Sequence, residues 1–209
     1  MSLSEKLPLI YQKLLEFYGK QNWWPGEGIE IAIGAVLTQQ TSWNNVEIAL
    51  NNLRKANCLS IKCLQSIELS KLEELIRPSG YYRLKAIRLR NLINLLAEKP
   101  KPTREELLSV KGIGFETADS ILNYLFEKPF FVVDAYTFRI FKRLGIYNKE
   151  KFDYNELQKL VSQNIPEDVE LYKEFHALLV KHAKETCSKK SPKCNECPLN
   201  DICEKLVVY

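Results

Sequence analysis

Four of the six cysteines crowd together in the pattern Cys187-x6-Cys194-x2-Cys197-x5-Cys203. Thiolates are soft anionic donors, and four in one short loop suit either a tetrahedral zinc ion or a 4Fe–4S cluster. Zinc modules usually supply two Cys-x-x-Cys pairs, whereas this loop contains one. Lys189, Lys190 and Lys193 lie inside the loop, where their charge can meet phosphate. Cys58 and Cys63 stand apart in a helical region and are expected to be structural thiols.

A second group of residues surrounds Leu107-Leu108-Ser109-Val110-Lys111-Gly112-Ile113-Gly114, which reads as helix, tight hairpin, helix. Two glycines flanking an apolar residue permit positive φ and close backbone approach. Ile113 can plug the space between the helices, and N–H groups at the start of the second helix can face a phosphate. A plain helical corner has the same pattern. Asp134 follows Phe130-Phe131-Val132-Val133 and opens another helix. Such an acid can be an N-cap, or a partly desolvated carboxylate available for chemistry.

The elements that must position these groups are helical. Leu7, Ile10, Leu14 and Tyr18 recur at helical spacing, and the pattern predicts a helix ending at Gly19. Further helices are predicted over residues 29–39, 44–54, 72–77, 84–96, 104–110, 116–126, 135–144, 154–163 and 169–184. Phe130–Val133 is too short and isolated for a sheet and is expected to be a buried lead-in. The fold class is all-α. Hydrophobic residues make up 45% and charged residues 27%, which excludes a disordered chain. No apolar run reaches membrane-spanning length and the opening residues lack a secretory core, so a soluble cytoplasmic protein is expected. The net charge of +4 is too small to argue for nucleic acid by itself. Two clusters are more suggestive: Arg77, Arg83, Lys85, Arg88 and Arg90, and then Lys181, Lys184, Lys189, Lys190 and Lys193. Each can hold phosphates or form a solvated face.

Lys111-Gly112-Ile113-Gly114-Phe115-Glu116-Thr117-Ala118 followed by Val133-Asp134 resembles the hairpin–Asp pattern of the endonuclease III superfamily of DNA glycosylases. Residues 31–41, ending Leu37-Thr38-Gln39-Gln40-Thr41, and residues 76–86, containing Pro78-Ser79-Gly80-Tyr81-Tyr82, also resemble family segments. The resemblance runs in the family's order from about residue 25 to the last cysteine. It implies a helix-hairpin-helix fold of two lobes with a DNA-facing cleft between them. Residues 25–130 would form a six-helix barrel. Residues 1–24 and 131–209 would form a lobe bearing a 4Fe–4S cluster on Cys187, Cys194, Cys197 and Cys203. It also implies a catalytic Asp134 that stabilises an oxocarbenium-like sugar or activates water. Gln40 would fill the gap left by a flipped nucleotide, with Tyr81 wedged beside the opposite base. Lys111, Gly112, Ile113 and Gly114 would grip the backbone of double-stranded DNA containing a damaged base.

The chain departs from endonuclease III itself at Glu116, where bifunctional members carry a lysine that forms a Schiff base. Glutamate cannot form an imine, so β-lyase chemistry through this residue is excluded. Lys-Gly-Ile-Gly-x-Glu-x-Ala-Asp is similar to the bacterial 3-methyladenine glycosylases of the superfamily, in which aromatic residues placed like Trp24 and Trp43 sandwich the flipped base. The subfamily's late lysine has an apolar counterpart near Phe175-His176-Ala177-Leu178, and His176 and His182 are expected to be structural or near phosphate. The expectation is therefore a monomeric, monofunctional glycosylase for alkylated purines, with Trp24, Trp43 and Glu116 around the base. An oxidised-pyrimidine or mismatch glycosylase and a non-catalytic DNA-binding module remain the alternatives.

Overall fold

The computed structural model describes residues 1–23 and 26–206, and no strand occurs among them. The chain divides into two compact units, Met1–Trp23 with Lys128–Tyr209, and Trp24–Glu127.

The first unit comprises α1 (Leu3–Tyr18), α9 (Ala135–Arg143), α10 (Tyr154–Ser162) and α11 (Val169–Glu185). Its core is one cluster in which Leu7, Ile10 and Leu14 of α1 meet Ile140, Phe141, Phe175, Leu178 and Leu179. Each helix start is fixed by a short polar side chain. Ser2 and Glu5 form a capping box on α1, while Asp134, Asp153 and Asp168 accept backbone N–H groups at the starts of α9, α10 and α11. Such caps satisfy donors that the first turn leaves without helical partners. Phe131, Val132 and Val133 are buried and lie outside any helix or strand, the lead-in that their isolation predicted.

The second unit runs through α2 (Ile29–Leu37), α3 (Trp43–Lys55), α4 (Ile61–Ser66), α5 (Leu69–Ile76), α6 (Tyr82–Glu98), α7 (Arg104–Ser109) and α8 (Phe115–Ser120). A π-helical turn, Ile121–Leu125, continues α8 where periodicity alone predicts α-helix. Helix α6 packs on α4 and α5, and α2 packs on α3, α6 and α8. Periodicity does not pick out α4. Its start is set by Ser60, whose side chain accepts the Cys63 N–H. Cys58 and Cys63 flank that start and are joined in a disulfide, rather than being separate thiols. Their separation of five residues lets the bond close the α3–α4 turn without a long loop.

No helix among the described residues is long and apolar enough to cross a membrane.

Candidate functional site

In the second unit, α7 and α8 form the two arms of the hairpin. Gly112 has φ +94°, and a Cβ there would come within 2.5 Å of the Arg88 side chain. Gly114 differs from the expectation: its φ is −94° and a Cβ would meet nothing within 4 Å. Only the first glycine is demanded by conformation. Ile113 is buried between the arms, whereas Lys111 and Glu116 are exposed. The arms are fastened by Arg104, which donates from Nε to Asp119 Oδ1 at 2.6 Å and from a terminal nitrogen to Oδ2 at 2.9 Å. Asp119 is wholly buried, so this two-bond geometry is what makes its charge tolerable.

A cavity of about 450 Å³ opens beside the hairpin, with Gln39, Gln40, Tyr81, Lys85, Arg88 and Glu116 on its wall. Gln40 and Tyr81 both adopt left-handed backbone conformations, with φ +55° and +45°, although neither is glycine. Such conformations cost roughly 1–3 kcal/mol and persist where surroundings impose them. Both side chains are exposed, Tyr81 to 66%. Trp43 lies half-buried at the start of α3 and is not part of that wall. Trp24 lies outside the described residues.

The first basic cluster does not form a phosphate-binding face as a whole. Lys85 is buried and its Nζ donates to the carbonyls of Leu37 (2.8 Å) and Ser79 (2.6 Å). Arg88 donates to Gln39 Oε1 at 2.6 Å, and Arg90 donates to the Ile67 carbonyl. Gln39 in turn donates to Gly112 O (3.2 Å) and Thr117 Oγ1 (3.0 Å), linking α6 to the hairpin. Arg77 and Arg83 flank the Tyr82 ring, each 5.8 Å from its centroid.

In the first unit, Asp134 caps α9 through Oδ1, which accepts the Thr137 N–H at 2.7 Å and the Thr137 hydroxyl at 2.9 Å. Its Oδ2 lies 3.6 Å from His176 Nε2, on the buried side of α11. Burial by itself would raise the Asp134 pKa, but the His176 ring and the Thr137 donors outweigh it and hold the carboxyl below its ordinary value of 3.8. Glu174, also on α11, accepts the backbone N–H groups of Gln21 (2.5 Å) and Asn22 (3.3 Å), so the chain past α1 is tied near Trp23, whose ring sits 5.6 Å from that of His176.

All four loop cysteines, Cys187, Cys194, Cys197 and Cys203, line one cavity with Ile140, Leu144 and Leu199. Among the described residues no three His, Cys, Asp or Glu side chains are grouped to hold a single metal ion. Backbone N–H groups of Leu199 and Lys205 point at the sulfurs of Cys197 and Cys203, each at 3.4 Å, and Arg143 donates to Cys187 Sγ at 3.1 Å. Burial, with the neighbouring thiols adding to it, pushes the Cys197 thiol up to about 11. Lys189, Lys190 and Lys193 are exposed on the loop.

Two residues that sequence reasoning missed hold this loop in place. Arg139 donates to the carbonyls of Cys187 and Ala183, and Arg143 to those of Cys187, Ser188 and Lys189. Their i, i+4 spacing on α9 was the available signal. His182 is buried on α11: burial, with repulsion from Arg139, lowers its pKa to about 4, and its Nδ1 lies 3.0 Å from the Tyr18 hydroxyl.

An all-helical chain with this hairpin has the build of a helix-hairpin-helix DNA glycosylase. Residues 33–167 match the model of the HhH-GPD superfamily of base excision DNA repair proteins, and the chain belongs to that superfamily. It is 46% identical to a Methanocaldococcus jannaschii chain provisionally described as a DNA repair glycosylase, covering 95% of this chain and 96% of that one. It is 32% identical to the endonuclease III of Thermotoga maritima over 83% of this chain and 81% of that one. Among solved structures, an endonuclease III trapped in a covalent intermediate with DNA aligns with a TM-score of 0.85 and 25% identity, over 98% of this chain and 97% of that one. The H. pylori 3-methyladenine DNA glycosylase bound to 1,N6-ethenoadenine aligns with a TM-score of 0.75 and 34% identity, over 88% and 98% respectively. The protein is a DNA repair N-glycosylase, and DNA is its partner.

Proposed function

We propose that this glycosylase removes N-alkylated purines such as 3-methyladenine from double-stranded DNA, without a lyase step. The observation that carries this reading is Glu116, a carboxylate on the cavity wall at the hairpin position where a lyase needs an amine. An N-alkylated purine already carries positive charge and leaves readily, so one fixed carboxylate suffices. Water attacks C1′, the bond to the base breaks with its electron pair leaving on the purine, and Asp134 takes the proton lost by the water. Before that, the ionised carboxylate opposes positive charge growing on the sugar. Trp24 and Trp43 are the proposed stacking faces for the cationic ring. The H. pylori relative, named for 3-methyladenine, supports the assignment.

Gln40 and Tyr81 are the proposed occupants of the gap left by the flipped nucleotide. Their exposure and left-handed backbones at one cavity mouth support this. Lys111, Gly112 and Gly114 would meet the phosphates, with Ile113 as the buried plug of the hairpin.

Cys187, Cys194, Cys197 and Cys203 fit a 4Fe–4S cluster. They share one cavity and have N–H and guanidinium donors aimed at their sulfurs, as anionic cluster ligands need. A cluster would crosslink the loop and fix the placement of Lys189, Lys190 and Lys193 toward DNA. Iron and acid-labile sulfide in equal amounts in the purified protein are expected; zinc without sulfide would overturn the assignment.

Duplexes carrying single lesions test the substrate. Release of 3-methyladenine, with no borohydride-trapped adduct on abasic DNA, is expected. Release of oxidised pyrimidines instead, together with trapping, would establish the endonuclease III reading, which the higher TM-score to that enzyme favours.

A further inference from the structure

Lys85 is a buried cation that the proposed reaction does not use. It is 1% exposed, yet it lies on the wall of the cavity that Gln40 and Tyr81 enter. Its ammonium bonds carbonyls at two chain ends. Leu37 O is the last carbonyl of α2, and Ser79 O closes the short 3-10 turn Arg77–Ser79. Helix-end carbonyls lack helical partners and collect negative potential, so a buried cation placed between two of them satisfies both.

Each of these carbonyls stands just ahead of a side chain at the cavity mouth. Gln40 lies three residues beyond Leu37, and Tyr81 lies two residues beyond Ser79. Lys85 is tied to the second segment twice, because its own backbone N–H donates to Tyr81 O at 3.0 Å while its Nζ holds Ser79 O. The Gly80–Tyr81 step is therefore bracketed by one residue, through its backbone N–H and its side chain. Burial, with the Arg88 guanidinium adding repulsion, lowers the Lys85 pKa to about 8, so the fold maintains this cation against a cost.

We propose that Lys85 is a positioning residue: its ammonium fastens the two strained turns together so that the Gln40 and Tyr81 side chains enter DNA as a pair. The inference rests on the reading that these two side chains fill the extrusion gap. An apolar side chain at position 85 would satisfy packing but would bond neither carbonyl.

The test uses the full chain and two readouts. The first is the fluorescence of 2-aminopurine opposite a tetrahydrofuran abasic analogue, which reports insertion whatever lesion is preferred. The second is single-turnover release of 3-methyladenine from methylated duplex. With Lys85→Met, affinity for undamaged duplex stays within about twofold, while the fluorescence change is lost and the release rate of the folded protein falls at least tenfold. Lys85→Gln keeps two N–H donors on a shorter stem and loses three- to tenfold. Wild-type insertion and release in folded Lys85→Met would overturn the proposal, as loss of a purely stabilising lysine would lower the melting temperature alone. Should Lys85→Met not fold, wild-type rates in Lys85→Gln overturn it equally. Gln40→Ala and Tyr81→Ala separate the two ideas. If neither changes fluorescence, the gap-filling reading fails and the proposal with it. If both do while the Lys85 variants do not, only the proposal fails.

Discussion

Asp134 Oδ2 lies 3.6 Å from His176 Nε2, while the other oxygen of the same carboxylate is held by Thr137. One oxygen thus serves the helix cap and the other faces an imidazole. This division lets a single aspartate be both an N-cap and an ionised carboxylate in buried surroundings.

The carboxyl is held below 3.8, so its contribution to stability is full above that value and is lost as pH falls through the lower folded-state pKa. Base release limited by Asp134 should likewise persist below pH 3.8, provided the protein remains folded. His176→Ala removes the larger of the two opposing influences on the burial penalty. Its acid limb of single-turnover release should move to higher pH; an unmoved limb would show that the imidazole does not tune the carboxyl.

Asp134→Asn retains a side-chain oxygen that can accept from Thr137 but loses the charge. Base release should fall by roughly 10²–10³-fold, the range for removing one electrostatic stabiliser of a transition state. Affinity for undamaged duplex should remain, with a steep salt dependence. Unchanged release would remove Asp134 from the mechanism.

Glu116→Lys places an amine on the cavity wall at the hairpin position. A borohydride-trapped adduct with abasic DNA is expected, absent in the parent protein. Trapping in the parent would instead reveal another nucleophilic amine.

Arg104→Ala leaves Asp119 buried without its bidentate partner. A stability loss of up to about 3–5 kcal/mol is expected from removing one partner of a buried ion pair. Because the pair spans both hairpin arms, duplex affinity should fall as well, which filter binding at fixed salt would measure.

Cys63→Ser opens the Cys58–Cys63 bond. For so short a loop the chain-entropy estimate is about 2 kcal/mol. The melting temperature should drop, and reductant should reproduce that drop in the parent, while base release by folded protein stays the same.

Much of this architecture is legible before folding. The spacing of Leu7, Ile10 and Leu14 specifies α1 because a helix returns every third or fourth side chain to one face. The isolation of Phe130–Val133 argues against a sheet, and these residues indeed form no strand. Helix α4 is harder, being only six residues long, too short for a repeated stripe. Lys85 groups with surface arginines when charge alone is considered. Its position contradicts that, since Lys85, Leu89, Leu92 and Leu96 fall on one buried stripe of α6.

By itself, the sequence determined the all-helical class, the hairpin around Ile113, Asp134 at a helix start and the cysteine spacing. These are local properties, set by side-chain period, backbone preference and distance along the chain. Only the tertiary structure decided that Lys85 joins Leu37 to Ser79, that His176 faces Asp134, and that Arg139 and Arg143 hold the cysteine loop. Those partners are separated by as many as 48 residues, as in Lys85–Leu37 and Arg139–Cys187. Each contact exists because packing apolar faces brings polar groups that are distant along the chain within hydrogen-bonding reach.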